Sequence, residues 1–238
     1  MASLAETFDH APVPEIADIV QALKEEIIFG RLLPRERLVE GELSDRYKVS
    51  RHLIRSALTE LQGMGLVARR RNKGAMVRDF SVEEVDEIYE MRALLQREAV
   101  LRIPWPVDRA LVRELKDIHA KYSRCVESGD LRQVCNLNNV FHFTMFEAAN
   151  NRCLTEMIQR IWTETLGIRC YAIGDPVWLR RARDEHAAMI AEMAEGSREG
   201  LLRLVDAHIW PALELYKRAH GGWHASEAGA WGSVEATS

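Results

Sequence analysis

The chain has 238 residues, of which 47% are apolar and 29% charged, with a formal net charge of −4 at pH 7. This composition is typical of a globular protein of one large or two small domains, and it excludes a disordered chain. The sequence has no run of about 18 apolar residues and no secretory signal pattern at its acidic start, so we expect a cytoplasmic protein without membrane contact. Four scattered cysteines without CxxC spacing predict reduced core cysteines.

The first part of the chain predicts a small mixed domain. Gly30 ends a run of apolar residues at helical spacing, Ser50 is a suitable helix N-cap, and a polar Arg/Lys/Gly segment separates two short apolar runs that can pair as a hairpin. The predicted helices cover residues 14–29, 41–47 and 50–64, and the predicted strands cover 66–70 and 75–78. Three helices and a β-hairpin form the winged helix-turn-helix plan. We therefore predict a flexible N-terminus over 1–13 and a DNA-binding domain over 14–80.

After residue 80 the strand signals end, and the sequence reads as successive amphipathic helices. They are predicted over residues 81–102, 107–127, 130–149, 152–173, 176–195 and 197–220, separated by Pro, Gly or Asn breaks. The fold class is therefore mainly α, with an all-α bundle over 81–220 for effector binding and dimerisation. The Gly/Ala/Ser-rich tail over 221–238 is expected to be flexible.

Basic residues are concentrated in one segment of this acidic chain. Residues 46–78 contain nine Lys or Arg and one acidic residue, a local charge of about +8 against −12 for the remainder. An island of positive charge is the electrostatic signature of a protein that binds a polyanion, and double-stranded DNA is the expected partner because the charge coincides with a helix-turn-helix layout. A solvated basic face without a ligand is the alternative reading.

The helix that starts after Ser50 has the pattern of a DNA-reading helix. One of its faces is apolar, whereas Arg51, His52 and Arg55 fall on the other face and offer hydrogen-bond donors. Arginine can read guanine through two hydrogen bonds in the major groove, and hydroxyl or imidazole groups can reach phosphates or base edges. In the predicted wing, Arg71 and Lys73 can follow the DNA backbone, and Gly74 permits a close approach.

Polar side chains occupy the centres of apolar faces in the predicted C-terminal helices. These residues are Arg92 with Gln96 beside it, Asn138 and His142 one turn apart, His186, and His208. This recurrence indicates a polar cavity inside the bundle. Three imidazoles and an amide oxygen can ligate a divalent transition metal such as zinc or nickel. Arg92 can pair with a ligand carboxylate, and Gln96 is the second residue expected to bind the effector. His119 also lies on an apolar face, so position alone does not identify a ligand.

These motifs resemble those of GntR-family transcription regulators, and specifically the FadR subfamily with its all-helical FCD effector domain. The resemblance covers residues 14–219 and rests on LLPRERLVEGELSDRYKVSRHLIRSALTELQGMGLV and, later, on EIYEMRALLQREAV, NNVFHFTMFEAANN, DEHAAMIAEM and DAHIWPAL. It implies DNA recognition by Ser50, Arg51, His52 and Arg55 with Gly74 in the wing, metal binding by Asn138, His142, His186 and His208, and effector binding by Arg92. Asn138 stands where the family usually has Asp, and Gln96 where many members have Glu.

Together these features predict a ligand-responsive bacterial transcription regulator rather than an enzyme. We expect a homodimeric repressor on a pseudo-palindromic operator, which senses a small carboxylate in a metal-containing cavity. Two alternatives stay open at this point. One is a DNA-binding regulator without metal or effector; the other is an enzyme that uses the histidines to bind a metal, although no carboxylate is evident as its general base.

Overall fold

The computed structural model of the protein describes residues 15–70 and 74–228. The chain divides into two units, Met1–Arg78 and Asp79–Ser238. The predicted N-terminal segment 1–13 lies outside the described residues, as does the predicted tail from residue 229 onward. Within the described ranges, no helix has the length and apolar character needed to cross a membrane.

The N-terminal unit combines helices with a small antiparallel sheet. Its elements in chain order are α1 (Ile16–Ile28), β1 (Arg37–Leu38), α2 (Glu40–Tyr47), α3 (Arg51–Gly63), β2 (Val67–Arg70) and β3 (Gly74–Val77). Among the described residues the strand order is β1-β3-β2. The hairpin of β2 and β3 was predicted, but β1 was not, because two residues are too short to show an alternating pattern. It is fixed instead by its pairing with β3, in which Arg37 lies opposite Met76.

Helices α1 and α3 form the core of this unit. Leu23 of α1 and Ile54 and Leu58 of α3 are fully buried, so the apolar face of each helix packs inward. Ser50 caps α3, as its hydroxyl accepts a hydrogen bond from the Leu53 backbone N–H at 3.2 Å. Because the apolar face is buried, the opposite side of α3 is left exposed to solvent.

The C-terminal unit is all-helical in its described part, and the predicted fold class is confirmed. Its helices are α4 (Val82–Arg102), α5 (Arg109–Ser128), α6 (Leu131–Glu147), α7 (Arg152–Glu164), α8 (Leu166–Ile173), α9 (Pro176–Glu195) and α10 (Arg198–Ala228). Helix α10 continues past residue 220, where the sequence pattern predicted its end. Two sequence-level expectations are also corrected: residues 152–173 form two helices rather than one, and Cys153 is exposed rather than part of the core.

Thr165 separates α7 from α8. Its side chain is fully buried, and its hydroxyl lies 3.0 Å from the Ile161 carbonyl oxygen and 3.2 Å from that of Trp162. A threonine hydroxyl that bonds to the backbone of the preceding turn bends a helix. The bend leaves the Trp162 carbonyl available to a second donor, the Arg169 Nη2 atom at 3.0 Å. The interruption of this helix therefore places Arg169 against Trp162.

Buried apolar clusters hold the helical unit together. One of them joins α5, α6 and α9 through residues such as Leu115, Phe141 and Met189. Another includes Phe80 and Tyr216, whose hydroxyl accepts the Phe80 N–H and donates to the Asp79 carboxylate, both at 3.0 Å. The middle of α10 is thereby bonded to the segment that precedes α4.

Candidate functional site

The exposed side of α3 carries the residues predicted to read DNA. The side chains of Arg51, His52 and Arg55 are all exposed, and each follows the N-cap Ser50 within the first two turns. Helix α3 therefore presents two guanidinium groups and an imidazole on one accessible surface, next to a helix N-terminus. Such a surface can donate hydrogen bonds to phosphate oxygens and to the edges of guanine bases.

Arg55 has a carboxylate partner that the sequence did not indicate. Its Nε and Nη2 atoms donate to the two Glu40 carboxylate oxygens, at 3.1 and 2.7 Å. The hydrogen bond from Arg55 holds the pKa of Glu40 below its ordinary value, so this carboxylate stays ionised at neutral pH. Arg69 adds a further contact, as its Nη2 donates to the Arg55 carbonyl oxygen at 3.1 Å.

Only the two strands of the wing lie within the described residues. Gly74 begins β3 with φ of +77°, a left-handed conformation that favours glycine over residues with a side chain. Arg71 and Lys73, which were predicted to contact the DNA backbone, lie outside the described residues. Arg69 lies against α3, with its Nη2 atom 3.3 Å from the Thr59 hydroxyl.

Three of the predicted metal ligands converge inside the helical unit. His142 of α6, His186 of α9 and His208 of α10 each place one ring nitrogen within 4.8 Å of those of the other two. The Nε2 atoms of His142 and His186 are 3.2 Å apart, and both residues are buried. The helix projections predicted a polar group on each buried face, and the packing of these helices brings the imidazoles together.

The electrostatic surroundings keep the two buried imidazoles neutral. Burial, reinforced by neighbouring histidines, holds the pKa of His142 and of His186 well below its ordinary value. Neutral imidazole is the form that ligates a metal ion. The Nδ1 atoms of both residues also lack a hydrogen-bond partner in the described part of the chain. Two neutral imidazoles whose Nε2 atoms face each other at 3.2 Å, with His208 beside them, fit a bound divalent cation.

His208 is oriented by Glu185, a residue that sequence reasoning did not assign to the site. The Nδ1 atom of His208 lies 2.6 Å from a Glu185 carboxylate oxygen, and Arg181 Nε donates to the other oxygen at 2.6 Å. Burial alone would raise the pKa of Glu185, but the hydrogen bonds from His208 and Arg181 outweigh it and the pKa is lowered. A carboxylate on one ring nitrogen fixes the tautomer and directs the other nitrogen toward a metal.

His142 and His208 line a cavity of about 70 Å³, whereas His186 is not among its described lining residues. Asn138 and Arg92 line it, as predicted from their helix faces, together with Trp162 and Arg169, which the sequence did not single out. Gln96 is buried on the same helix as Arg92, but it is not among the described residues that line this cavity.

The cavity has a cationic wall. The Arg92 guanidinium carbon lies 4.7 Å from the centroid of the Trp162 ring, and that of Arg169 lies 4.2 Å from it. Burial lowers the pKa of Arg92, and its Nε and Nη1 atoms have no hydrogen-bond partner within the described residues. Because a buried guanidinium with two unsatisfied nitrogens is costly, the site favours an anionic ligand.

His119 belongs to the surroundings of the cluster and not to the convergent set. Its ring centroid is 6.4 Å from that of His186, and its Nε2 atom lies 3.4 Å from the Ser123 hydroxyl. Although His119 and His186 both looked central to apolar faces, only His186 points a ring nitrogen at His142.

Comparison with known proteins agrees with this architecture. Residues 15–77 match the model of the bacterial regulatory proteins of the gntR family, and residues 87–210, just over half of the chain, match the FCD domain. The chain belongs to the GntR family of FCD-domain regulators. The order of the two domains in this GntR-family regulator is FadR-like. Because the family consists of transcription regulators, the metalloenzyme alternative is set aside.

Several curated relatives of this GntR-family protein are similar over most of their length. The HTH-type transcriptional regulator McbR of Escherichia coli is 26% identical over 202 residues, covering 82% of this chain and 91% of the relative. The Nta operon transcriptional regulator of Aminobacter aminovorans is 28% identical, covering 74% and 82%. The probable D-xylose utilization operon transcriptional repressor of Paenarthrobacter nicotinovorans is 24% identical, covering 84% and 88%.

Solved structures share the fold. A putative GntR transcriptional regulator from Rhodococcus sp. RHA1 superposes with a TM-score of 0.67 at 21% identity, over 86% of this chain and 98% of that chain. Escherichia coli McbR gives a TM-score of 0.62 at 21% identity, over 91% and 100%.

Proposed function

We propose that this regulator is a repressor whose helical unit binds a small carboxylate beside a divalent metal ion. The observation that carries the proposal is a cluster of three imidazoles beside one small cavity. His142, His208 and Arg92 line this cavity, and two nitrogens of the buried Arg92 guanidinium lack a partner within the described residues. Relatives that are named as repressors, such as that of the D-xylose utilization operon, support the direction of regulation.

Four residues are proposed as the metal ligands: Asn138, His142, His186 and His208. The histidines offer neutral nitrogens, and Glu185 orients His208. Asn138 lies one helical turn before His142 and lines the same cavity, so its amide oxygen is available as a fourth donor. A zinc or nickel ion held there would supply positive charge and open coordination positions for an oxygen ligand.

The chain's own cations are proposed to select the effector. Arg92 has donor hydrogens on Nε and Nη1 without a protein partner within the described residues, and these suit the oxygens of an anionic ligand such as a carboxylate. The cavity of about 70 Å³ has room for only a few heavy atoms. The proposed effectors are a hydroxy acid, a sugar acid or an aromatic acid, and the larger of these are expected to enter with a shift of the helices around the cavity.

Helix α10 offers a route from this shift to the DNA-binding unit. It carries His208 at the cavity and, eight residues later, Tyr216, which is bonded to Asp79 and Phe80. A ligand that favours one position of α10 would change how this segment is held. Regulation then requires only that the two arrangements differ in operator affinity, with a coupling of about 1–3 kcal/mol.

DNA reading is proposed for α3 and the wing, acting as a homodimer on a pseudo-palindromic operator. The residues assigned to it are Ser50, Arg51, His52, Arg55, Arg71, Lys73 and Gly74. A dimer with two-fold symmetry presents one copy of α3 to each half-site of the operator, so the two half-sites are expected to have the same sequence on opposite strands.

The outer face of α4 is proposed as the dimer contact. Met91, Leu94 and Leu101 are exposed apolar side chains at helical spacing, and Leu94 is 61% exposed. Exposed acidic residues precede the centre of this stripe, namely Glu83, Glu87 and Glu90. Exposed basic residues follow it, namely Arg97 and Arg102, although Arg102 also pairs with Glu98 of the same helix. In an antiparallel pair of α4 helices, the acidic half of one copy meets the basic half of the other. This face is therefore complementary to itself, as a two-fold contact requires.

Replacing Leu94 by glutamate is expected to dissociate the dimer, because it places two carboxylates at the centre of an apolar contact. Size-exclusion chromatography with light scattering measures the mass of each variant. Val177→Glu is the matched control, since Val177 is an equally exposed apolar residue on α9. A Leu94→Glu protein that stays dimeric would place the contact elsewhere.

A thermal-shift experiment tests the proposed function as a whole. Zinc or nickel chloride is expected to raise the melting temperature. At a free metal concentration of about a hundred times the dissociation constant, the free energy of unfolding should rise by about 3 kcal/mol. A panel of small carboxylates is then added, and the members that raise it further are expected to weaken binding to a duplex selected from a random library. If neither metal nor carboxylate changes stability or DNA affinity, the protein is a DNA-binding regulator without an effector in this cavity.

A further inference from the structure

The DNA-binding unit contains a carboxylate, that of Glu40, beside the proposed DNA-reading residues. Glu40 is the first residue of α2, where the helix N-terminus favours a negative charge, and it makes both hydrogen bonds of the Arg55 pair. A carboxylate on a surface that meets DNA weakens binding through repulsion from the phosphates. Glu40 is therefore expected to have a role other than strengthening the binding of DNA.

The geometry of the pair leaves one edge of Arg55 available. A guanidinium has two usable forks of donors: one formed by Nε and one Nη, the other by the two Nη atoms. Glu40 takes the first fork, through Nε and Nη2. The second fork, formed by the outer hydrogens of Nη1 and Nη2, is the one that can meet guanine O6 and N7 end-on.

We propose that Glu40 is a positioning residue that fixes Arg55 for guanine recognition and disfavours its use as a phosphate contact. This inference rests on the proposed DNA-reading role of α3. Arg69 supports the arrangement from the other side, since its guanidinium donates to the Arg55 carbonyl oxygen and contacts Thr59. The first turn of α2 also lies close to Arg51, because a Cβ atom on Gly41 would be 3.3 Å from Arg51 Nη2.

The test compares full-length wild-type protein with Glu40→Gln. Duplexes are first selected by the wild-type protein from a randomised library, and affinities are then measured for the selected duplex, its single base-pair variants and random DNA. We expect one G·C position per half-site at which wild-type protein discriminates by about tenfold or more. Glu40→Gln is expected to lose most of that discrimination and to bind random DNA more tightly, with a steeper salt dependence.

Glu42→Gln is the matched control. Glu42 is an exposed acidic residue in the same first turn of α2, so this variant removes the same charge without touching Arg55. It is expected to bind all DNA somewhat more tightly and to keep the discrimination. In an Arg55→Ala background, Glu40→Gln should no longer change discrimination, because Glu40 acts through Arg55.

The outcomes separate this inference from the function on which it rests. If wild-type protein selects no sequence, the DNA-reading assignment of α3 is wrong, and the role of Glu40 falls with it. If wild-type protein selects a sequence but Glu40→Gln and Glu42→Gln discriminate equally well, only the role of Glu40 is overturned. If Glu40→Gln folds poorly in a melting experiment, Glu40→Asp replaces it. This variant keeps the charge but shortens its reach to Arg55, so it is expected to lose discrimination at the same G·C position.

Discussion

Replacing His186 by alanine is expected to remove metal binding from the helical unit. His186 is fully buried, its Nε2 atom faces that of His142, and its neutral imidazole is available as a ligand. Loss of a direct ligand should weaken binding by more than the roughly 10- to 100-fold typical of an outer partner. Competition with a metal-binding dye, using zinc or nickel, measures the affinity.

Two further variants make this result specific. His119→Ala removes a neighbouring imidazole that is not part of the convergent set, so it should leave metal affinity nearly unchanged. Glu185→Gln keeps every direct ligand but weakens the orientation of His208, and it should fall between the two, at about a 10- to 100-fold loss. Equal affinities for the wild-type and His186→Ala proteins would contradict the proposed centre, provided that both show the same cooperative unfolding.

Replacing Arg92 by methionine is expected to stabilise the protein while removing its response to a carboxylate. The guanidinium is buried, and two of its nitrogens lack partners, so folding without a ligand bears the cost of desolvating a charge. An apolar side chain of similar length avoids that cost, and the free energy of unfolding should rise by about 1–3 kcal/mol. Urea denaturation, with and without the carboxylate that stabilises the wild-type protein most, measures both effects.

The control for this variant is Arg113→Met on α5, where the arginine is exposed. It should change neither stability nor ligand response appreciably, because an exposed guanidinium remains hydrated. An Arg92→Met protein that is less stable than wild type, or that responds fully to the carboxylate, would show that Arg92 has a structural role instead of a ligand-binding one.

The sequence predicted the helices and the hairpin well because their signals are local. Ser50 and the apolar stripe of α3 indicate a capped helix without reference to any other part of the chain. The two-residue strand β1 and the break at Thr165 were missed because both depend on tertiary contacts: β1 on its pairing with β3, and the break on a buried hydroxyl bonded to the preceding turn.

The same limit applies to the candidate site. Helical periodicity places His142, His186 and His208 on buried faces, but it cannot show how far each helix is rotated toward its neighbours. The contacts of the Glu40 and Glu185 carboxylates were not predicted because each acts on a residue of another helix, 15 and 23 residues away in sequence. Arg169 was missed because its partner, the Trp162 carbonyl, is exposed only by the helix break.

Pro211 makes α10 easier to bend beside the cavity, and this bears on which effectors can change the structure. It lies inside this helix, between His208 and Tyr216, and it lines the cavity. A proline removes one backbone hydrogen bond and crowds the preceding turn, so a helix bends most easily there. Binding of a ligand in the cavity therefore need not change the DNA affinity of the protein. A carboxylate large enough to press on Pro211 would act as an inducer, whereas a smaller one that reaches only Arg92 would fill the cavity as a silent competitor.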